Sequence, residues 1–248
     1  RRTVRAGQVV VASGSWGTAQ LLQRLKATGV LPRLSAALGE LTRTNSEALG
    51  GAMTLGVPEV DLTHGIAITT SFHVDETTHV ENVRYGKGSN LMGGLATLML
   101  DVEHPGGDTG GAESRSTERL PRPVRFAALA ARRPVAFARS LSVRKWSQRT
   151  VIALVMQSLD NSLSVHTRRG LFGRVKVTSR QGHGVPNPTW FPQASAGVRA
   201  MCRALTAATG LKTIEGGNIS AIVDMPLTAH FLGGCAISDD PAHGVVDP

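Results

Sequence analysis

The sequence predicts an α+β fold, because strand-like and helix-like patterns follow each other in blocks rather than in strict alternation. Residues 8–12 form an apolar run that predicts a buried strand, and a glycine-rich turn at 13–17 follows it. A helix is then expected from an N-cap at Thr18 to a closing Gly29. An amphipathic helix at 194–209 closes the pattern, after a middle region that alternates like antiparallel strands. The expected fold is therefore a βα fragment, an antiparallel sheet with helices, and a return to loop and helix.

The middle region divides into short elements separated by glycine and proline. Residues 104–123 are dense in Pro, Gly, Ser and charge, which predicts a surface loop and the strongest candidate for disorder. The remaining predicted elements are strands at 65–68 and 77–81, a loop at 86–94, a helix near 95–100, a helix at 124–137 interrupted at Pro134, and strands at 151–156, 163–166 and 175–177.

Composition narrows the class of protein. The 248 residues carry a formal charge of +9, and the cations crowd between Arg115 and Arg149. A net positive charge favours binding to nucleic acid, to an anionic membrane surface or to an anionic cofactor. The low aromatic content of 4% argues against a surface on which bases stack. Cys202 and Cys235 lack a CxxC partner, so they are expected to be reduced thiols rather than zinc ligands or a disulfide scaffold. No metal site is predicted.

The two ends of the chain predict part of a longer protein. The N-terminal sequence has no initiator Met, and its short apolar run is too brief for a signal-peptide core. No apolar run reaches eighteen residues, so no membrane-spanning helix is expected. The expected location is cytoplasmic or peripheral to a membrane, with export of the full-length protein left open.

Two stretches resemble glucose–methanol–choline oxidoreductases, in particular their cholesterol-oxidase-like branch. Residues 14–22 (GSWGTAQLL) are similar to the second signature of that family, with Ala19 where many members have Pro. Residues 229–235 (AHFLGGC) resemble the His-x-Leu-Gly-Gly-Cys motif of that branch. The resemblance covers essentially the whole chain, and further similar segments lie at 41–47, 84–90, 181–184 and 244–248.

The resemblance implies oxidation of a secondary alcohol to a ketone with FAD as cofactor. The implied substrate is the 3-hydroxyl of a sterol such as cholesterol or a similar bulky alcohol, with double-bond isomerisation as a second step. It implies FAD-binding residues at 1–60, a substrate domain at 61–205, and a return to the FAD domain at 206–248. The G-x-G-x-x-G turn of the family does not occur in this sequence, and the chain is expected to stop just before the final Asp-Gly-Ser segment and Asn-Pro pair of the family. The chain is thus expected to be a C-terminal-half fragment that is inactive alone.

The resemblance also assigns candidate site residues. His230 is the expected proton acceptor or polariser, and the alternative is a histidine satisfied within the core. Glu81 is the candidate isomerisation acid–base group, or else an exposed carboxylate at a strand end. The candidate cofactor-binding residues are Gly14, Gly17, Asn45, Gly233 and Gly234, with a polar turn residue as the alternative for Asn45 and a structural tight turn as the alternative at Gly14 and Gly17.

Two other hypotheses stay open. The chain could be a basic protein that binds nucleic acid or a membrane surface without catalysis, or an inactive fragment of the enzyme. Residues 124–146 alternate arginines with apolar residues, which suits either a peripheral membrane contact or a solvated helix with snorkelling arginines. The enzyme hypothesis predicts a small-molecule partner and no nucleic acid.

Overall fold

A computed structural model describes residues 3–101 and 120–246. Helices and antiparallel sheets occur together, so the predicted α+β class is confirmed. The helices are α1 (Gly14–Ala27), α2 (Arg122–Arg132), α3 (Pro134–Ser140), α4 (Trp146–Arg149), α5 (Pro192–Thr209) and α6 (Ile219–Ile222). The strands are β1 (Ala48–Thr54), β2 (Ile68–His73), β3 (Thr78–Val83), β4 (Ala96–Leu98), β5 (Thr150–Gln157), β6 (Asn161–Arg169), β7 (Val175–Gly184) and β8 (Thr213–Asn218).

The chain divides into two compact units, each assembled from segments that are distant in sequence. Unit 1 consists of Arg1–Asn45, Asp160–Asn187 and Ala229–Pro248. Unit 2 consists of Ser46–Leu159 and Pro188–Thr228. These bounds differ from the predicted 1–60, 61–205 and 206–248, and the functions predicted for those domains stay predictions.

Unit 2 is built on a six-stranded antiparallel sheet in the order β2-β3-β5-β1-β8-β4. Helix α5 packs on one face of the sheet, where Val80, Val155 and Val198 are fully buried in one hydrophobic cluster. A second cluster forms around Met53 and Trp146. Ala48 is the register partner of Val155 and lies five residues before Met53 on β1, an odd number, so the two clusters occupy opposite faces of the sheet.

Unit 1 is built on the β6–β7 hairpin, which α1 covers. The buried Gln23 of α1 donates from Nε2 to the carbonyls of Leu38 at 2.8 Å and Val165 at 2.7 Å. A helix side chain thereby satisfies two backbone acceptors from different segments, which fixes α1 against the hairpin.

Four predicted elements are wrong. The strand predicted at 65–68 shares only Ile68 with β2, which runs from Ile68 to His73. Residues 8–12 form no strand, and Val9 and Val10 are exposed, because no described strand lies beside them to supply the ladder. The predicted helix near 95–100 is instead a 3-10 turn at Leu91–Leu95 followed by β4, which pairs with β8. Helix α1 begins at Gly14 rather than Thr18, so the predicted turn at 13–17 forms its first turn.

Other predictions are confirmed. The break at Pro134 separates α2 from α3, because proline cannot continue the hydrogen bonds of the preceding helix. The closing helix is α5. Most of the predicted loop at 104–123 lies outside the described residues, and its last two residues belong to α2. Within the described ranges, no helix has the length and apolar character needed to cross a bilayer.

Candidate functional site

A short segment at 42–45, which follows turn residues that end at Leu41, organises unit 1. On one side it pairs with β6, where Thr42 and Leu163 exchange backbone hydrogen bonds of 3.0 and 2.7 Å. On the other side Arg43 and Leu232 exchange bonds of 2.7 and 3.1 Å. The segment therefore acts as a short strand between the hairpin and the 230–235 motif, and it fixes both by backbone bonding.

Two glycines of the motif allow this close pairing. Gly233 and Gly234 adopt φ values of 81° and 78°, which side-chain-bearing residues rarely adopt. A Cβ on Gly233 would lie 2.6 Å from the carbonyl oxygen of Leu41, and one on Gly234 would lie 2.6 Å from Oγ1 of Thr42. These contacts explain both glycines by packing within unit 1, and their role toward a cofactor stays a prediction.

The pairing brings Asn45 and His230 together, although they are 185 residues apart in sequence. The Nδ2 amide of Asn45 lies 3.0 Å from Nδ1 of His230. Because an amide NH₂ can only donate, Nδ1 is the acceptor, and a neutral His230 then carries its proton on Nε2. Asn45 Oδ1 is buried and has no hydrogen-bond partner among the described residues. The pair therefore places an unsatisfied amide acceptor next to a histidine.

The start of α1 lies beside the same motif. The rings of Trp16 and Phe231 stack with centroids 5.0 Å apart and planes inclined by 24°. Gly14 is the first residue of α1 with φ 67°, and a Cβ on Gly17 would lie 2.9 Å from Cβ of Ser13. Asn45 thus contacts the segment that carries His230, Gly233 and Gly234 belong to that segment, and Gly14 and Gly17 flank Trp16, which stacks on Phe231 of the same segment.

Sequence reasoning missed a charged network that positions this segment. Arg43 Nη1 donates to Asp160 Oδ1 at 2.5 Å and to the carbonyl of Asn161 at 2.9 Å. His183 Nε2 lies 3.1 Å from Asp160 Oδ2. Hydrogen bonds from Arg43 and His183 lower the pKa of Asp160 below its usual value. Next to Arg43, Thr44 donates to Asn187 Oδ1 at 2.8 Å. The sequence offered one indication of this network, because segments 41–47 and 181–184 both resemble the family. That the two segments lie close together cannot be predicted from the sequence.

Glu81 lies in unit 2. It is half-buried in the interior of β3, opposite Ser71 of β2 and Leu154 of β5. The alternative of an exposed carboxylate at a strand end is therefore wrong. Since Val80 packs toward α5, alternation places Glu81 and His79 on the other face, in register with Leu154 and Met156. Its neighbours on the flanking strand β5 are apolar.

The described residues of unit 1 fit a flavin-type cofactor in one respect that can be tested on the structure. The unsatisfied Oδ1 of Asn45 is a buried acceptor next to the motif, and a buried polar atom without a partner is costly unless a ligand supplies a donor. The role of residues 14, 17, 45, 233 and 234 toward such a group stays a prediction.

The described residues thus form an α+β fold in which backbone pairing brings Asn45 and His230 together. Known proteins align with this chain over its whole length. The chain is 49% identical over 249 residues to cholesterol oxidases of two Mycobacterium tuberculosis strains, CDC 1551 / Oshkosh and ATCC 25618 / H37Rv. It is 34% identical over 248 residues to a cholesterol oxidase of Acinetobacter baumannii. All of this chain is covered, but only 40% to 41% of each relative.

No protein-family profile matches the chain. The predicted resemblance is nevertheless confirmed, because the whole chain is homologous to part of curated proteins named cholesterol oxidase. This relationship is consistent with a portion of an enzyme of the glucose–methanol–choline type.

Proposed function

We propose that this chain is part of an FAD-dependent oxidoreductase that converts the 3-hydroxyl of a sterol, or of a similar bulky alcohol, to a ketone. The observation that carries the proposal is the Asn45–His230 pair in a chain homologous to cholesterol oxidases throughout its length. FAD, when bound, would supply the two-electron oxidant for the alcohol carbon. The chain spans about two fifths of its relatives, so activity is proposed for the full-length protein.

In this proposal His230 acts as a hydrogen-bond donor toward the hydroxyl oxygen. Asn45 donates to Nδ1, so Nε2 of the neutral ring carries the proton and cannot accept a second one. This tautomer favours the polarising role over the proton-accepting role, so in this proposal the hydroxyl proton leaves to solvent water rather than to His230. A positioned donor holds the alcohol oxygen in one place and thereby orients the carbon that is oxidised.

The experiment compares His230→Gln with His230→Ala in the full-length protein. Glutamine retains an N–H donor without acid–base chemistry, so H230Q should keep much more activity than H230A. We expect kcat of H230A to fall by about 10²–10⁴ with the flavin absorption spectrum retained. Equal losses in both variants would favour a proton acceptor. The matched control is His243→Ala, because His243 is an exposed histidine of unit 1 that pairs with Asp240. A wild-type kcat in H230A would contradict the role assigned to His230.

Glu81 is proposed as the acid–base group for isomerisation. Support comes from its half-buried position on an antiparallel sheet, in register with Leu154. We expect Glu81→Gln to form the ketone while the unconjugated product accumulates, as measured by chromatography of the steroid products. Glu76→Gln is the control, since Glu76 is exposed in the turn between β2 and β3. Unchanged isomerisation in E81Q would remove Glu81 from the mechanism.

A peripheral membrane contact is a second proposal. No side chain of α2 is fully buried, and Val135 of α3 is 69% exposed. Val135, Leu141 and Val143 lie among arginines, a combination that suits an anionic lipid surface, where a sterol would be encountered. Cosedimentation with vesicles should weaken when Val135 and Leu141 are replaced by Ser. Equal sedimentation of wild type and variant would contradict this contact.

A further inference from the structure

A cation-lined cavity lies in unit 2, within the described residues, and its lining residue Ser142 stands between Leu141 and Val143, which are proposed above to contact a membrane. It measures about 190 Å³ and is bordered by the loop after β1 and by the segment that joins α3 to α4. Its basic lining residues are Arg139, Arg144, Lys145 and Arg149. A water molecule occupies about 30 Å³ in the liquid, so the cavity has room for a small oxyanion.

Arg149 is the buried cation of this cavity. Only 4% of the residue is exposed, and its Nη2 donates to the carbonyls of Arg139 at 3.0 Å and Ser142 at 2.5 Å. These two bonds fix the plane of the guanidinium. Its Nη1 is also buried, yet it has no hydrogen-bond partner within the described part of the chain. A buried charged donor without an acceptor is unfavourable, and an anion would satisfy it.

The charges around Arg149 are all of one sign. Arg139, Arg144 and Lys145 are exposed at the rim, and no residue that lines the cavity is acidic. None of the four cations forms a salt bridge among the described residues. Burial first, and the neighbouring charge of Arg139 second, lower the pKa of Arg149. Like charges this close repel each other, and a bound anion would relieve that repulsion.

We propose that this cavity binds a phosphate-type oxyanion, with Arg149 at its base and Arg144 and Lys145 at its rim. Guanidinium and ammonium groups form charge-assisted hydrogen bonds with phosphate oxygens, and a planar guanidinium can bind two of them. The oxyanion can come from inorganic phosphate or from the phosphate monoester of a lipid headgroup. The proposal is independent of the oxidoreductase function, since none of its residues belongs to the proposed catalytic machinery.

The test is isothermal titration of the full-length protein with inorganic phosphate at constant ionic strength, with chloride as the balancing anion. Arg144→Gln with Lys145→Gln removes two rim charges without touching the bonds that anchor Arg149. The matched control is Arg132→Gln with Arg203→Gln, which removes two exposed cations of unit 2 that do not line the cavity. We expect the rim variant to bind phosphate at least about tenfold more weakly, and the control to stay within about twofold of wild type.

Two results would overturn the proposal: wild-type protein that shows no heat of phosphate binding, or rim and control variants that bind equally. Vesicles identify the source of the anion. Phosphatidylcholine vesicles with phosphatidic acid are compared with vesicles that carry equal charge as phosphatidylserine. Preference for phosphatidic acid, loss in the rim variant and competition by phosphate would assign a lipid headgroup. Phosphate binding without vesicle binding would assign the free anion.

Discussion

The two units are stabilised in different ways. Unit 2 has a continuous six-stranded sheet and two clusters of buried apolar side chains. Unit 1 has a two-stranded hairpin, short single-residue bridges at Thr42, Arg43 and Ile237, and left-handed glycines. Unit 1 is thus stabilised by backbone hydrogen bonds and close glycine contacts, whereas unit 2 is stabilised by the burial of apolar side chains. The histidine–asparagine pair lies in unit 1, where small displacements of backbone segments would change its geometry.

Replacing Gly39 should give the largest effect and should affect unit 1 first. Gly39 has φ 91°, and a Cβ there would lie 1.9 Å from the carbonyl oxygen of Val165. The same residue also bonds to Gly234 and Val165 through its backbone. We therefore expect Gly39→Ala to lower the free energy of unfolding by about 4 kcal/mol or more. Hydrogen exchange with mass spectrometry should show lost protection in β6 before β5.

Gly29→Ala is the matched control for this prediction. Gly29 also has positive φ, at 77°, but nothing lies within 4 Å of a Cβ built on it. Its replacement should cost only about 1–2 kcal/mol, from backbone strain. Similar losses in the two variants would mean that strain, rather than close packing, dominates unit 1. Equal deprotection of β5 and β6 would mean that both units unfold together.

Unit 2 should respond instead to the loss of apolar volume. Met53 is 1% exposed in the cluster with Trp146, so Met53→Ala should cost about 2–5 kcal/mol through lost burial and a residual cavity. Met225→Ala removes the same atoms from a residue that is 55% exposed, and it should change stability by less than about 0.5 kcal/mol. Urea unfolding measures both. Comparable values would show that the cluster around Met53 is loosely packed.

The same contrast explains which strands could be predicted from sequence. Strands β3 and β5 alternate or run apolar, and their predicted positions were nearly right. Strands β1 and β8 were missed because their sequences, ALGGAMT and TIEGGN, read as glycine-rich loops. In the sheet Gly50 is required, since a Cβ there would lie 2.6 Å from Cγ2 of Val198 on α5. Close packing of α5 on the sheet therefore requires glycine at this position, and glycine lacks the side chain that would have indicated a strand in the sequence.

Candidate site residues could be named from a motif, whereas their contacts in the fold could not be predicted from the sequence. His230 was found from its flanking Leu-Gly-Gly-Cys sequence, whereas its contact with Asn45 spans 185 residues. The Asp160 network was missed, because an isolated aspartate at a turn gives no sequence signal until Arg43 and His183 lie beside it. Long-range backbone pairing creates these neighbours, and single-sequence patterns report only local order.

Buried Cys202 predicts a change in the stability of unit 2 at high pH. Burial raises the pKa of its thiol from 9.0 to about 11. Between these values the unfolded chain loses the proton while the folded chain keeps it. Stability is therefore full below pH 9 and falls as pH rises through about 11, by at most about 2.7 kcal/mol. Unfolding followed against pH should show this slope, and Cys202→Ala should remove it. An identical slope in the variant would assign it to other groups.

Asp160 predicts the smallest effect, in the opposite pH range and in unit 1. Hydrogen bonds from Arg43 and His183 lower its pKa below 3.8, so its stabilisation is complete above that value and is lost as pH falls through the lowered pKa. The carboxylate is 75% exposed, and solvent screening keeps the energy of such pairs small. Asp160→Asn should flatten the acid limb of unfolding curves, whereas Asp239→Asn, an exposed aspartate of the same unit, should leave it unchanged. If both variants keep the wild-type acid limb, then backbone pairing alone positions Arg43, and the charged network contributes nothing to the geometry of the neighbouring Asn45.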